Sequence, residues 1–426
     1  MMAISSEPPY ALSAPPAPLT PPLTGAVQAD HLLVGAGYGG LLAAISLAER
    51  GASVVVIEAH ELGHGGAGRN HGQCIPVYGY LDPARLPPAG FDLLLNSGAR
   101  VFDLIRRFGI ACEAVQNGTL SVAHDARTLA VTRAAHARYA DWGKAGAYLS
   151  ADEVAEWSGT TTYAGGWVHR DGGHLNPLAY VRGLARAAQS LGVQVHTATP
   201  MTGLRRQDGR WRISTPKGEV SARSVGLTTD IYATGPVPDA LRGSVFPLTA
   251  YALASRPLTA GQRRAVLPHG TNLGETRRDP MFFRIDAAGR IITGGLLELR
   301  RGRDPALTGA QMTRRLAARW PVLEGLGWDH LWTGQISMAM NQTPSIQRLD
   351  EGLWGLTGWS GRGVPTSAAL GEAFARTLAD PAQGAALWPV SNPPKIFARQ
   401  VLGLMVQTFR GPINKLRDRL DRATQG

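Results

Sequence analysis

The chain has 426 residues, enough for two domains and a large core. Hydrophobic residues make up 44% and charged residues 18%, a globular balance, and the apolar stretches are interrupted too often for a membrane-spanning helix. The net charge of +11 is mostly arginine, since the only lysines are Lys144, Lys217, Lys395 and Lys415. No aromatic-basic motif accompanies that charge, so nucleic acid is not an expected partner. Cys74 and Cys112 fit neither a metal spacing nor a disulfide framework, which suits a reducing cytoplasm and gives no reason to expect a metal.

In chain order, residues 1–26 are proline-rich without apolar periodicity and are expected to form a disordered lead. His31–Val34 is a short apolar run that suits a buried parallel strand. Gly35, Gly37 and Gly40 follow on the spacing G-x-G-x-x-G. The first permits the turn, the second lets backbone approach a pyrophosphate, and the third lets a helix pack close to the strand. Leu41–Arg50 is rich in Ala and Leu, Gly51 stops it, and Ser53–Ile57 forms a second strand. Glu58 closes the unit 18 residues beyond the third glycine, placed to accept hydrogen bonds from a ribose 2′-hydroxyl and to repel a 2′-phosphate. This reads as an ADP-binding βαβ unit, with NAD or FAD as the cofactor.

Residues 59–79 hold several glycines with Arg69 and Asn70, a composition suited to backbone lying against a ligand. An amphipathic helix is predicted over residues 91–109, a strand over 118–123, a helix over 128–142 and a capped helix start at Ser150. Asn176 opens a helix to about Leu191. Short strands follow at 193–196, 211–215 and 225–229. Residues 281–285 and 290–295 read as a hairpin, 308–320 as a helix, and 332–340 and 353–357 as strands. A second glycine-rich turn, Gly358 to Gly363, meets the N-terminus of a helix over 365–378, whose dipole suits negative charge on a reduced flavin. The tail, Lys395–Arg422, mixes apolar and basic residues. Packing of its apolar face on the body is the preferred reading, and an anionic membrane surface with a quinone acceptor is the alternative.

Four of these stretches resemble the FAD-dependent amine and D-amino-acid oxidoreductase family, and most nearly its gamma-glutamylputrescine-oxidising branch. They are the VGAGYGG turn with Glu58, Gly66 to Gln73, the 283–295 hairpin, and Trp359 to Val364. The resemblance covers about residues 30–385. It implies an α/β fold, with a Rossmann-like FAD domain of the two-dinucleotide-binding type and a mostly antiparallel α+β substrate domain. The FAD domain is expected over 27–85, 160–240 and 335–385, the substrate domain over 86–159 and 241–334, and the tail over 386–426.

By the same resemblance, Gly35, Gly37, Tyr38, Gly39, Gly40 and Glu58 hold the ADP half of FAD, with Val195 and Thr229 on the adenine side. Ala67, Gly68, Arg69, Asn70, His71 and Gly72 lie beside the pyrophosphate and flavin, and Gly361, Arg362, Gly363 and Val364 meet the flavin's pyrimidine end. The sequence departs from the family at Ala67 for Ser, His71 for Gly, Arg362 for His and Asp230 for Asn. His71 could link covalently to the flavin, position the substrate, act as a base, or simply bond a carbonyl. Arg284 could pair with a substrate carboxylate, or be a strand arginine.

The activity implied is hydride removal from the carbon beside an amine nitrogen of a small amine or amino acid, followed by imine hydrolysis. Oxygen or a quinone would accept the electrons. Lysine is absent between Lys217 and Lys395, which keeps open a D-amino-acid-type dehydrogenase. The alternative from another class is a basic flavin-containing RNA-binding or RNA-modifying protein. A cytoplasmic location is expected, with contact at the inner face of the membrane through the tail as the variant.

Overall fold

The computed structural model describes residues 4–78, 82–298 and 304–423. Two large sheets organise them. In the first, Gly25–Val34 pairs in parallel with both Val54–Ile57 and Gly218–Leu227. Gln194–His196 extends one side and Leu353–Thr357 the other, again in parallel. These central strands are apolar at nearly every position, as strands covered on both faces must be. The antiparallel strands Gly203–Gln207 and Arg210–Ser214 are added onto Gly218–Leu227. The helices Tyr38–Ala48, Pro177–Ser190 and Gly363–Ala379 are largely buried against this sheet.

The second sheet runs in the order Trp328–Met338, Phe246–Ser255, Ile291–Leu296, Phe282–Ile285, Asn272–Glu275, Thr119–Ala123, Gly165–His169, Ala145–Leu149. It is antiparallel except where Asn272–Glu275 meets Thr119–Ala123. Phe282–Ile285 and Ile291–Leu296 form the hairpin read from the sequence. Ser150 and Glu153 form the capping box expected at the next helix, and Asn176 caps Pro177–Ser190 by accepting from the Ala179 N–H.

Several expectations are corrected. The lead is ordered from Ile4. Ser5 bridges to the strand Trp328–Met338, and Tyr10 is buried with its ring edge-on to Trp332. Its proline-rich carbonyls find donors on the helix Pro177–Ser190, where Arg182 Nη1 bonds Pro15 O and Gln189 Nε2 bonds Leu19 O. A proline-rich strand without internal hydrogen bonds is fixed by such outside donors. The helix expected over 91–109 is two, Pro88–Leu95 and Ser97–Arg107, divided at Asn96, whose side chain bonds the Asp92 carbonyl. Gly165–His169 and all of Trp328–Met338 belong to the second sheet, so the division expected near 160 leaves a strand of that sheet on the wrong side and the one near 335 cuts through another.

The tail helix Arg399–Ala423 also departs from the preferred reading. It touches the body through Gly403 and Gln407, both buried, and leaves Val401, Leu404, Met405 and Phe409 more than half exposed. A Cβ at Gly403 would strike the Pro247 carbonyl, so the contact is backbone-close and has no room for large apolar side chains.

Candidate active site

The first glycine turn has the shape its spacing predicts. Gly35 adopts φ +111, a conformation L side chains rarely take. A Cβ at Gly40 would land on the Gly35 carbonyl oxygen and press on Thr228 Oγ1, so this residue lets the helix sit close to the strand. A Cβ at Gly37 would meet only the Ala67 Cβ, at 3.9 Å, which leaves an open approach for a ligand's backbone contacts. Glu58 Oε2 accepts from the Ala36 N–H at 2.9 Å and Oε1 from the His60 N–H at 3.1 Å. The carboxylate thus stiffens the turn, and both oxygens keep lone pairs for further donors. His60 and His64 stack beside it with ring centres 3.9 Å apart.

From this turn a cavity of about 960 Å³ runs to the second sheet. Its wall includes Gly35, Gly37, Tyr38, Gly39, Glu58, Ala67, Arg69, Asn70, His71, Thr229, Gly361, Arg362, Gly363 and Val364. Fourteen of the expected site residues are therefore brought together. Gly40, Gly68 and Gly72 stand behind the wall, where an added Cβ would strike Gly35, Gly63 and Leu175 carbonyls respectively. They shape the surface without forming it.

Val195, expected near the adenine through backbone contacts, does not present its side chain to the cavity. It is 3% exposed and paired beside Val56 in the parallel sheet, and it is absent from the cavity wall. A β-branched residue in a central strand is core for the same reason it looked strand-like.

Arg284 is a correction. It is 1% exposed and lies outside the cavity wall. Its Nε donates to the His71 carbonyl at 2.6 Å. The guanidinium therefore anchors the loop that carries His71 and cannot meet a substrate carboxylate from this position.

The Gly66–Arg69 turn and the residues after it are held by Asn70. Its Nδ2 bonds the Gly66 and Ala67 carbonyls and its Oδ1 accepts from the Gly72 N–H at 2.8 Å. The Tyr10 hydroxyl donates to the Asn70 carbonyl, so the lead helps to fix this loop. Arg69 donates through Nε to Thr333 O and so ties the loop to the second sheet. His71 faces the cavity, edge-on to Phe282 with ring centres 5.0 Å apart. Burial lowers its pKa to about 4, helped by the Arg284 charge, so the ring is neutral at neutral pH. Its Nε2 is buried without a hydrogen-bond partner.

The late glycine turn closes the other side. Ser360 and Gly361 are consecutive left-handed residues, at φ +49 and +81, ahead of the helix Gly363–Ala379. Ser337 secures this loop: its carbonyl accepts from Ser360 N and its Oγ from Trp359 N. Asp230, one of the positions where the sequence departs from the family, is also left-handed, at φ +50. Its Oδ1 accepts from Thr357 Oγ1 at 2.5 Å and from Gly358 N at 3.1 Å, and burial raises its pKa. Asp230 therefore pins the start of the late turn to the end of Gly218–Leu227.

Sequence reasoning missed most of the substrate-side wall. Tyr251, Phe282, Trp167 and Leu296 line it, together with Gln407 and Asn414 of the tail helix. They come from strands and a helix whose meeting is purely tertiary. Of the two strand aromatics that could wall a substrate pocket, Phe282 and Phe283, Phe282 lines the cavity and Phe283 is core.

A glycine turn headed by an acceptor-only carboxylate, a second glycine turn at a helix N-terminus, and one cavity joining them fit an elongated two-part cofactor. Thr229 Oγ1, on the same wall, is buried without a partner, as a group awaiting a ligand would be. The fold and site define an FAD-dependent oxidoreductase.

Comparison with known proteins agrees. The family described as FAD dependent oxidoreductase, DAO, matches residues 30–377, and the chain belongs to that family. It is similar to a probable oxidoreductase OrdL of Haemophilus influenzae, 25% identical over 393 residues that cover 90% of each chain. It is also similar to gamma-glutamylputrescine oxidoreductase of Escherichia coli, 27% identical over 367 residues, 84% of this chain and 85% of that one. Among solved structures, an L-amino acid deaminase from Proteus vulgaris shares the fold at a TM-score of 0.71 and 22% identity, covering 85% of this chain and 93% of that one.

Proposed function

We propose that this chain oxidises the C–N bond of a small amine or amino acid, giving an imine that water hydrolyses to a carbonyl compound and a free amine. The observation that carries the reading is the single cavity joining the Glu58 turn to an aromatic chamber beside a neutral His71. FAD, when bound there, would supply two-electron, hydride-accepting chemistry for oxidation at the carbon next to nitrogen. Gly35, Gly37 and Glu58 would hold the ADP half, Arg69 and Asn70 would shape the middle of the site, and Gly361 to Val364, at a helix N-terminus on the same wall, would meet the electron-accepting end.

Tyr251, Phe282 and His71 form a part of the substrate side that suits an uncharged nitrogen. Tyr251 and Phe282 make an apolar wall, and neutral His71 adds no cation to repel or displace an amine. Arg284 is withdrawn, so a carboxylate on the substrate would be met elsewhere in the chamber. Oxygen or a quinone accepts the electrons afterwards. The test is amine-dependent reduction of oxygen or a dye, with the carbonyl product trapped. The name of the Escherichia coli relative puts gamma-glutamylputrescine first on the panel, beside sarcosine, glycine and D-amino acids. Failure of every member to yield a carbonyl would remove the C–N reading.

A further inference from the structure

The tail helix Arg399–Ala423 is bound to the body by its polar side. Gln407 Nε2 donates to Thr249 O and Leu297 O, and Asn414 Nδ2 donates to Arg278 O at 2.8 Å. These two side chains also line the cavity at its substrate end. The opposite side carries Val401, Met405, Phe409 and Ile413 at i, i+4 spacing, with Leu404 beside them, at 43–56% exposure. Phe397, just before the helix, is 88% exposed. Among the described residues nothing lies over this apolar stripe, in a segment where single exposed apolar residues would be unremarkable but a continuous row is not.

The charge of the segment says what covers it. Residues 395–422 hold seven Lys or Arg and two Asp, a net charge of +5. Among the described side chains of the helix, Arg417 is exposed. A protein partner would not require a cationic excess of this size beside the stripe. An anionic bilayer does, because its headgroups pair with the cations while the stripe enters the acyl boundary. The helix cannot cross: among the described residues no helix is long and apolar enough to span a membrane.

We propose that the helix Arg399–Ala423 docks flat on an anionic lipid surface through Phe397, Val401, Leu404, Met405, Phe409 and Ile413, and so holds the substrate end of the cavity at the membrane. Gln407 and Asn414 sit on the wall of the cavity from the same helix that meets the lipid, so substrate or a lipid-soluble acceptor has a short path. Docking itself does not rest on the amine-oxidation reading and is measured without turnover.

The experiment is co-sedimentation of the full-length, FAD-loaded protein with phosphatidylcholine vesicles, with and without phosphatidylglycerol. Binding is expected to the anionic vesicles only, and to weaken strongly in 1 M salt, where the Debye length shrinks to about 3 Å. The variant M405S/F409S changes exposed side chains and should keep the wild-type melting temperature and flavin content. Its partition coefficient should fall at least about tenfold. Failure of the wild type to bind anionic vesicles would overturn the proposal, as would undiminished binding by M405S/F409S. So would a dimer in sedimentation velocity that this variant dissolves without any vesicle binding, which would assign the stripe to a second copy.

Discussion

Replacing Glu58 by Ala tests the cofactor site at its best-defined contact. The carboxylate accepts from Ala36 N and His60 N and points its remaining lone pairs at the cavity. A hydrogen bond to a charged acceptor contributes about 1.5–3 kcal/mol. Loss of such a bond to a ribose hydroxyl therefore weakens FAD about ten- to 150-fold. Glu58 is half-buried, so water replaces part of what Ala36 and His60 lose. The apoprotein should be destabilised by only about 1 kcal/mol, a shift of a degree or two in Tm for a chain of this size. Glu58→Gln keeps one acceptor oxygen and should fall between. The assay is FAD titration of the apoprotein by flavin fluorescence, with thermal melts of each form. Unchanged FAD affinity in Glu58→Ala, with the apo Tm unaltered, would refute the assignment.

Arg284→Met keeps much of the volume but frees the His71 carbonyl. It should lower kcat/KM by a similar factor for substrates with and without a carboxylate, and a loss confined to carboxylate substrates would contradict its placement behind the wall. Asp230→Asn keeps the oxygen that Thr357 and Gly358 use and should stay within about 1 kcal/mol of the parent, whereas Asp230→Ala strands both donors at about 1–3 kcal/mol each. Thermal melts decide, and equal Tm values for the two variants would count against the pin. Burial lowers the pKa of His71 and His169 to about 4, and of His174 to about 3, below the free value of 6.5. The unfolded chain then binds more protons between those values, so stability should be full above pH 6.5 and fall steadily toward pH 4. Urea midpoints that stay flat from pH 7 to 4.5 would contradict this, as would a His71-dependent kinetic pKa between 6 and 8.

The parts of this molecule that could be read in advance are those whose physics is local. Gly35, Gly37, Gly40 and Glu58 specify a turn and an acceptor within one βαβ unit, and Ser150 and Asn176 cap helices a few residues away. The hairpin of 282–296 carries its own turn. What could not be read depends on partners distant in sequence. Tyr10 is seated by Asn70 and Trp332, and Arg284 is buried by a loop more than 200 residues earlier. Gly165–His169 joins the second sheet because Thr119–Ala123 and Ala145–Leu149 flank it. In the tail the amphipathic pattern was visible, but its direction was not. A small glycine contact and two amide side chains, not the apolar stripe, face the body.

The most direct measurement is the visible spectrum of the purified protein under anaerobic conditions, before and after adding each amine or amino acid of the panel. A yellow protein whose oxidised-flavin band is bleached by an amine, with one equivalent of carbonyl product per flavin, is the predicted result. A protein that contains no flavin and cannot be reconstituted with FAD would contradict the account at its centre.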